Sequence, residues 1–310
     1  MGFSINRNEE NGFYVITLKD NVNNTQVDIV PNYGAMLHGF KIQHDGKLLN
    51  LIDNYDGLDH FNEDVNTSFK NVKLSPFACR LKDSSYTFNG AEYTIQKSPI
   101  HGLLYDANFE VIEEEITGRF VSITLEYEYN GEDPGYPFPY TCHVHYKLMP
   151  WNELKVITRF TNRHDGPIPV MDGWHPYFTT GTPVDELELQ FASNEIVEFD
   201  SSLIPTGRLV RYNTYKKLTS LKDVQMDNAY TLNFIQPQPL CRLYDPVKGI
   251  TIALSPEESY PILQVYIPPH RNSIAIENLS APPDAFNNGI MLKRLAAGKS
   301  TDFTTTIKVN

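Results

Sequence analysis

The sequence predicts an all-β protein built as a large antiparallel β-sandwich with few short helices. Three observations support this prediction. Apolar and polar residues alternate with a period of two in eight segments, two hairpin turns carry strong signals, and no amphipathic helix of three turns is recognisable. Aromatic residues, at 12% of the chain, add to the strand bias because they suit pleated, half-buried surfaces.

The alternating segments occur from one end of the chain to the other, and each indicates a strand with one buried face. They cover residues 13–18, 120–129, 142–148, 154–160, 187–191, 250–254, 263–267 and 303–309. Asp45-Gly46 is predicted to join 40–44 with 47–51, and Asn89-Gly90 to join 86–88 with 91–95, because both dipeptides favour two-residue hairpin turns.

The chain shows no sign of a division into parts. Its length of 310 residues fits two average domains or one large all-β domain. The 21 Pro and 18 Gly are spread over the whole length, and no linker, charge block or repeat interrupts it. We therefore expect one domain over residues 1–310.

The charge balance argues against nucleic acid as a partner. The formal net charge is −12, from 26 basic and 38 acidic side chains, and the sequence contains no basic run of five or more residues. No stretch approaches the roughly 20 apolar residues of a membrane span, and the first residues lack a signal-peptide core. We expect a cytoplasmic protein that does not contact membranes.

The three cysteines, Cys79, Cys142 and Cys241, are odd in number and widely spaced. Neither a disulfide framework nor a thiolate zinc site is indicated by that spacing. A reducing compartment fits this pattern best.

Glu277 is a candidate proton acceptor. An apolar strand runs into it, and Pro282-Pro283 soon prevents the strand from continuing, so we expect Glu277 at a strand end. Its neighbours Ile276 and Leu279 would partly desolvate the carboxylate and raise its pKa towards neutrality. An ordinary polar residue at a strand terminus is the alternative interpretation.

Two histidines stand beside residues that fix the backbone. His101 precedes a glycine, and His175 is held extended by Pro176. Trp174 and Tyr177 supply flat apolar faces that could stack on sugar rings or fill the core. Taken alone, each histidine is better explained as a structural residue that finds a hydrogen bond.

The order of these segments resembles that of the aldose 1-epimerase (galactose mutarotase) family over nearly the whole chain. Glu277 is followed by a Pro-Asp-x-x-Asn turn at 283–287, and Arg80 is followed by the Asn89-Gly90 hairpin. Four further features are similar to family motifs. They are His101 before a glycine, His175 two residues before Tyr-Phe, Asp227 in a turn before an aromatic strand, and the Gly-Tyr-Pro-Phe loop at 135–138.

Two positions depart from the family pattern. Cys79 stands before Arg80, where the family often has Asn, and Pro176 follows His175, where a small or hydroxyl residue is frequent. Neither departure removes a proton-transfer group. Both change the neighbourhood of the sugar hydroxyls.

The resemblance implies a galactose mutarotase-like supersandwich that interconverts the α and β anomers of a free hexose. It implies Glu277 as the base at the C1 hydroxyl, His175 as the acid at the ring oxygen, and His101 as a second donor. Sugar binding would fall to Arg80, Asp227, Trp174 and Tyr177. The reaction needs no cofactor or metal. The expected partner is a small sugar, and the protein would be a monomer or a homodimer.

Several alternatives stay open at this stage. A hexose-6-phosphate 1-epimerase would need further cations, for which Arg271 or Arg80 could serve, and a non-catalytic carbohydrate-binding protein could share the fold. His143 and His145 could bind a metal in a β-barrel enzyme, although two histidines on one side of a strand are the simpler interpretation. Arg80 could instead pair with Asp83 at the surface, and Asp227 could cap its own turn.

Overall fold

Strands form the framework of the structure, a computed structural model that describes residues 2–310. Two α-helices, α1 (Leu58–Ser68) and α2 (Ala285–Asn288), and three 3-10 turns, Lys82–Ser84, Val184–Glu186 and Thr214–Lys216, join them. The strands are β1 (Phe3–Glu10), β2 (Phe13–Asp20), β3 (Thr25–Val30), β4 (Met36–His44), β5 (Lys47–Asn50), β6 (Lys73–Leu74), β7 (Ser85–Phe88), β8 (Ala91–Thr94), β9 (Glu110–Ile116), β10 (Val121–Tyr129), β11 (Tyr140–Met149), β12 (Glu153–Asn162), β13 (Ile168–Val170), β14 (Gly173–Trp174), β15 (Tyr177–Phe178), β16 (Glu188–Phe191), β17 (Ser193–Phe199), β18 (Pro205–Arg211), β19 (Thr219–Ser220), β20 (Asp227–Leu232), β21 (Cys241–Asp245), β22 (Ile250–Pro256), β23 (Ile262–Tyr266), β24 (Ile274–Leu279), β25 (Lys293–Leu295) and β26 (Ser300–Val309).

Most of the strands assemble into three large antiparallel sheets, while β7 pairs with β8 and β13 with β25 in two-stranded sheets. A five-stranded sheet has the order β1-β2-β3-β4-β5, and a nine-stranded sheet has the order β19-β16-β21-β22-β26-β12-β11-β10-β9. The third sheet, of eight strands, has the order β18-β17-β20-β23-β24-β14-β6, with β15 also paired to β24. β26 thus lies inside the nine-stranded sheet, between β22 and β12.

The all-β antiparallel sandwich predicted from the sequence is confirmed. Each of the eight alternating segments overlaps a strand, and both hairpins form at the predicted dipeptides. In the first hairpin Asp45 and Gly46 have φ of 46° and 76°, the left-handed pair that a type I′ turn requires. The hairpin signal was reliable because few residues other than Asp, Asn and Gly adopt this geometry.

Helix α1 was not predicted from the sequence, in which no amphipathic helix of three turns was recognisable. It has 11 residues, and it buries Phe61 and Val65, which are four positions apart on one face. Ser68 ends the helix beside the cavity described below. Within residues 2–310, neither helix has the length and apolar character needed to cross a bilayer.

Strand β24 is the structural centre of the region that holds the site. All six of its residues are buried. Glu277 is the fourth of them, so it lies within the strand. The prediction that it stands at a strand end is therefore wrong. Burial of both faces of this strand therefore desolvates the carboxyl group more fully than a strand terminus would.

Candidate active site

One cavity of about 200 Å³ brings together six of the seven side chains that the sequence analysis selected. Its walls come from helix α1, the segments around residues 79 and 101, and the eight-stranded sheet. The selected residues that line it are Glu277, His175, His101, Arg80, Asp227 and Tyr177. Side chains from distant parts of the chain therefore converge at one point.

The floor of the cavity is one face of the eight-stranded sheet. β23 and β24 pair Gln264 with Glu277, and β20 and β23 pair Asp227 with Tyr266. Opposite residues in an antiparallel ladder, and residues two apart on one strand, point to the same face. These four side chains therefore share a face, and Tyr177 joins it because β15 pairs with β24 in the same register.

Glu277 and His175 face each other at the centre of the floor. The distance from His175 Nε2 to Glu277 Oε1 is 3.5 Å, and the side chains are 5% and 2% exposed. Burial, with the nearby Asp227 charge, raises the pKa of Glu277 well above its ordinary value. Burial lowers the pKa of His175 from 6.5 to about 3. Burial therefore favours the uncharged form of both groups, a protonated carboxyl and a neutral imidazole.

The backbone and ring of His175 are both fixed. Asn71 donates its backbone N–H to the His175 carbonyl at 2.8 Å, and its side-chain oxygen accepts the Tyr177 N–H at 2.8 Å. The imidazole stacks on the Tyr177 ring, with centroids 4.9 Å apart and planes within 7°. Tyr177 in turn donates its hydroxyl to the Ser68 carbonyl at 3.1 Å. The imidazole of His175 is thus held in one orientation by contacts within the protein.

His101 projects into the cavity from a tight backbone crossing. Its φ is 63°, and a Cβ on the next residue, Gly102, would lie 2.3 Å from the Ser75 carbonyl oxygen, so only glycine fits there. His101 Nδ1 accepts the Cys79 N–H at 3.3 Å. Since Nδ1 acts as an acceptor, the neutral ring carries its proton on Nε2, where it can donate. Burial, followed by the neighbouring His175 and Arg80, lowers the pKa of His101 well below 6.5.

The Pro-Asp-x-x-Asn turn holds the backbone that carries Arg80. Asp284 donates its N–H to the Arg80 carbonyl at 2.9 Å, and its carboxylate accepts the Lys82 N–H at 2.9 Å and the Asn287 amide at 2.7 Å. The Arg80 side chain is exposed along the cavity wall. No ion pair joins it to Asp83 anywhere in the described chain, so the surface-pair alternative is not supported.

Asp227 lies at the rim of the cavity, with Gln264 beside it. Gln264 Nε2 donates to Asp227 Oδ1 at 2.8 Å. The residue is exposed on its outer side, while partial burial by the cavity wall raises the pKa of its carboxyl, against the opposing effect of Arg80. An Arg donor and an Asp acceptor are therefore held at one end of the cavity, where they can grip hydroxyl groups.

Trp174 does not reach the cavity, which corrects its predicted role in sugar binding. Its side chain is buried in the core, and its indole Nε1 donates to the Asn71 carbonyl at 3.3 Å. In an extended chain, residues two apart share a face and residues three apart do not. Tyr177 and His175 therefore face the cavity, and Trp174 faces away from it.

Comparisons with known proteins assign the chain to a family. The sequence profile described as aldose 1-epimerase matches residues 14–308. The chain belongs to the aldose 1-epimerase family. A curated relative, the uncharacterised protein YihR of Escherichia coli K12, is 27% identical over 258 residues, which cover 78% of this chain and 80% of YihR. The resemblance stated from the sequence is thereby confirmed.

Solved structures share the fold of this aldose 1-epimerase family member. A galactose mutarotase-like protein of Clostridium acetobutylicum superposes with a TM-score of 0.87 at 14% identity, covering 100% of this chain and 99% of that one. A galactose 1-epimerase of Lactobacillus acidophilus gives a TM-score of 0.82 at 17% identity, covering 99% and 98%. At these identities the likeness establishes the mutarotase-like fold alone.

A buried ionic network behind the site was not foreseen from the sequence. Lys73 Nζ lies 2.7 Å from Asp172 Oδ2, with both side chains almost fully buried, and it also donates to the Gly173 carbonyl at 2.5 Å. Tyr260 donates to the same carboxylate oxygen at 2.6 Å. Burial raises the pKa of Asp172 even with these partners present. The network anchors the start of the segment that carries His175 in this family member.

His143 and His145, the candidate metal ligands, each contact a residue of the neighbouring strand. His143 Nε2 lies 2.7 Å from Glu126 Oε2, and His145 Nδ1 lies 2.9 Å from Thr124 Oγ1, both on the neighbouring strand β10. Neither histidine belongs to a group of three ligand-type residues among residues 2–310. The one such group in this range lies inside the cavity and consists of Cys79, His101 and Glu277. No local sequence pattern indicates this group, because the three residues are far apart in the chain.

Proposed function

We propose that this protein is an aldose 1-epimerase that interconverts the α and β anomers of a free hexose by opening and closing the ring. The observation that supports this proposal best is the buried pair of Glu277 and His175, 3.5 Å apart on the floor of a cavity of about 200 Å³. Family membership supports the reaction class. The free, buried cysteines support the proposed cytoplasmic location.

Ring opening requires two proton transfers, and ring closure reverses both, so the protein ends each cycle in its starting protonation state. Glu277 takes the proton of the C1 hydroxyl, the bond from C1 to the ring oxygen breaks, and His175 gives a proton to that oxygen. Rotation about the bond from C1 to C2 and the reverse transfers close the ring on the other face. Each positioned acid or base typically contributes about 10² to 10⁴-fold.

The proton count of the pair suits this sequence of steps. Before ring opening, the active arrangement is a carboxylate and an imidazolium, and sugar hydroxyls donating to Glu277 would stabilise that carboxylate. After ring opening, Glu277 is protonated and His175 is neutral. This is the arrangement that burial already favours in both groups. The site would therefore stabilise the state that accompanies the open-chain sugar.

Orientation would come from the remaining residues of the cavity. His101 Nε2–H would donate to the ring oxygen or to an adjacent hydroxyl, because its Nδ1 is already occupied. Arg80 and Asp227 would bind hydroxyls farther round the ring, and Gln264 holds Asp227 in place for this. Such positioning converts binding energy into correct alignment of the reacting atoms.

A phosphorylated hexose is the less favoured substrate. Arg271, the additional cation considered from the sequence, is bound by Asp185 through two contacts at 2.8 and 2.7 Å and does not line the cavity. Arg80 is the one cationic side chain along the cavity lining in the described chain. A single Arg beside Asp227 and Glu277 gives little excess positive charge for a dianion.

A non-catalytic sugar-binding module is also less favoured. Such a module would use exposed aromatic faces, but Trp174 is buried in the core and Tyr177 is stacked on His175. Burying a carboxyl beside an imidazole costs stability. Buried ionisable groups of this kind are typical of functional sites.

The experiment is to measure anomer exchange of glucose, galactose and their 6-phosphates by magnetisation-transfer NMR, with polarimetry as a second readout. We expect faster exchange of at least one free hexose than in buffer alone. His143→Gln serves as a matched control, since His143 lies outside the cavity. Acceleration of the phosphates alone would favour the phosphate-specific alternative, and no acceleration of any sugar would overturn the proposal.

A further inference from the structure

Three chemically different metal-ligand side chains meet inside the cavity. Cys79, His101 and Glu277 are all buried, and one ligand atom from each lies within 4.8 Å of the other two. Glu277 also has an oxygen, Oε2, that finds no hydrogen-bond partner in residues 2–310. An unpartnered, almost fully buried carboxyl oxygen beside a thiol and an imidazole has the donor set of a cation site.

We propose that these three side chains bind one Zn²⁺ ion in the cavity, and that the bound ion excludes the sugar. A sulfur, nitrogen and oxygen set suits Zn²⁺, whereas Mg²⁺ and Ca²⁺ require mainly oxygen ligands. One thiolate and one carboxylate neutralise the dication, so a charge-balanced complex forms in the buried site. The fourth tetrahedral position faces the cavity and is left to water.

Two of the ligands are already held together by the backbone. The Cys79 N–H donates to His101 Nδ1 at 3.3 Å, and the His101 N–H donates to the Cys79 carbonyl at 2.9 Å. Cys79 and His101 have φ of 55° and 63°, and both stand where the two segments cross against Gly102. Because Nδ1 accepts the Cys79 N–H, Nε2 carries the ring proton in the metal-free site. Binding of the ion at Nε2 therefore requires this proton to move to Nδ1 and the 3.3 Å contact with the Cys79 N–H to open, while the 2.9 Å bond from the His101 N–H to the Cys79 carbonyl still holds the two segments together.

The geometry requires only a small contraction. Ligand atoms about 2.0 to 2.3 Å from a tetrahedral zinc centre lie roughly 3.5 Å from one another. The three atoms must therefore approach by about an ångström from their present limit of 4.8 Å. Rotation about the χ angles of Cys79 and Glu277 would supply this movement.

Binding of the ion and binding of the sugar compete for Glu277. Coordination occupies the carboxyl that would remove the C1 proton and fills space beside His175, 3.5 Å away. Zn²⁺ should therefore raise the apparent KM for the hexose. This consequence depends on the proposed function, whereas binding of the ion itself does not.

The direct test titrates protein purified without a His-tag and stripped with EDTA. Cd²⁺, a spectroscopic substitute for Zn²⁺, should produce a thiolate-to-metal absorption band with one ion bound per chain, and calorimetry should give the Zn²⁺ affinity. Cys79→Ser should abolish the band and weaken Zn²⁺ binding at least about 100-fold, beyond the roughly 10- to 100-fold effect of outer-shell changes.

Matched controls distinguish this site from other thiols and imidazoles. Cys142→Ser and Cys241→Ser alter the other two buried, free cysteines and should leave the band intact. Cys79→Asn is a second test variant, since Asn tolerates the left-handed backbone that Cys79 adopts. A band that survives both Cys79 variants, or no binding by the wild type, would overturn the proposal. Binding without any epimerase activity would leave the site standing and refute only the proposed function.

Discussion

Replacing Glu277 by Gln tests the assigned base with little disturbance of the fold. The side chain is 2% exposed, and Gln has nearly the same volume, so no cavity forms. Burial raises the pKa of Glu277 and favours its neutral form, so a neutral amide also preserves the charge of the unliganded site. We expect a change in unfolding free energy of about 1 kcal/mol or less, which corresponds to roughly 1 to 2 °C in Tm for 310 residues.

Activity should respond far more strongly than stability. The amide cannot accept the C1 proton, so kcat/KM should fall by about 10² to 10⁴-fold. This corresponds to about 3 to 5 kcal/mol of lost transition-state stabilisation. Polarimetry starting from a pure anomer gives the rate, and thermal unfolding followed by circular dichroism gives Tm.

Glu277→Asp is an informative companion variant. It keeps a carboxylate but shortens the side chain by one methylene, which moves the carboxylate away from His175, 3.5 Å distant in the wild type. We therefore expect an intermediate rate. If Glu277→Gln keeps kcat/KM within about threefold of the wild type while Tm is unchanged, Glu277 is not the base and the reasoning fails.

Four further outcomes are expected. Lys73→Met leaves the buried Asp172 without its cation, so the free energy of unfolding should fall by about 3 to 5 kcal/mol and Tm by roughly 5 to 8 °C; a change under 2 °C would contradict this. Trp174→Phe should lower Tm slightly and leave KM unchanged, because the indole does not face the cavity; a large rise in KM would restore its predicted binding role. Arg80→Met should raise KM about tenfold or more with a smaller effect on kcat, since a charged hydrogen bond is worth about 1.5 to 3 kcal/mol; an unchanged KM would remove Arg80 from the sugar site. Because the folded-state pKa of His175 is about 3, below the unfolded value of 6.5, its ionisation leaves stability unchanged above pH 6.5 and destabilises the folded state increasingly as pH falls from 6.5 towards 3; urea titrations should show the stability of the wild type falling relative to that of His175→Gln by up to about 1.4 kcal/mol per pH unit in that range, and a constant difference would refute the lowered pKa.

The strands were predictable because their pattern is local. Alternation with a period of two fixes which face of a strand is buried, and Asp45-Gly46 and Asn89-Gly90 fix the turns between strands. Helix α1 was not predictable in the same way. It is rich in Asp, Asn and His, which are weak helix formers, and its apolar contribution is limited to a few residues such as Phe61 and Val65. Tertiary packing stabilises it more than its own sequence does.

The convergence of Glu277, His175 and His101 could be predicted only through the family resemblance, since no local pattern brings three remote residues together. The face of Trp174 was within reach of the sequence, because its odd spacing from Tyr177 places the two on opposite sides of an extended chain. The position of Cys79 was not, since it depends on a backbone crossing that local sequence does not encode.

The placement of β26 has a consequence for synthesis of the polypeptide. Both of its partners, β12 and β22, are translated earlier, so each exposes an unpaired edge on the nascent chain until residues 300–309 leave the ribosome. A polypeptide that stops before residue 300 would lack a central strand of its largest sheet rather than an edge strand. Such truncated products should aggregate or be degraded instead of persisting as partly active fragments.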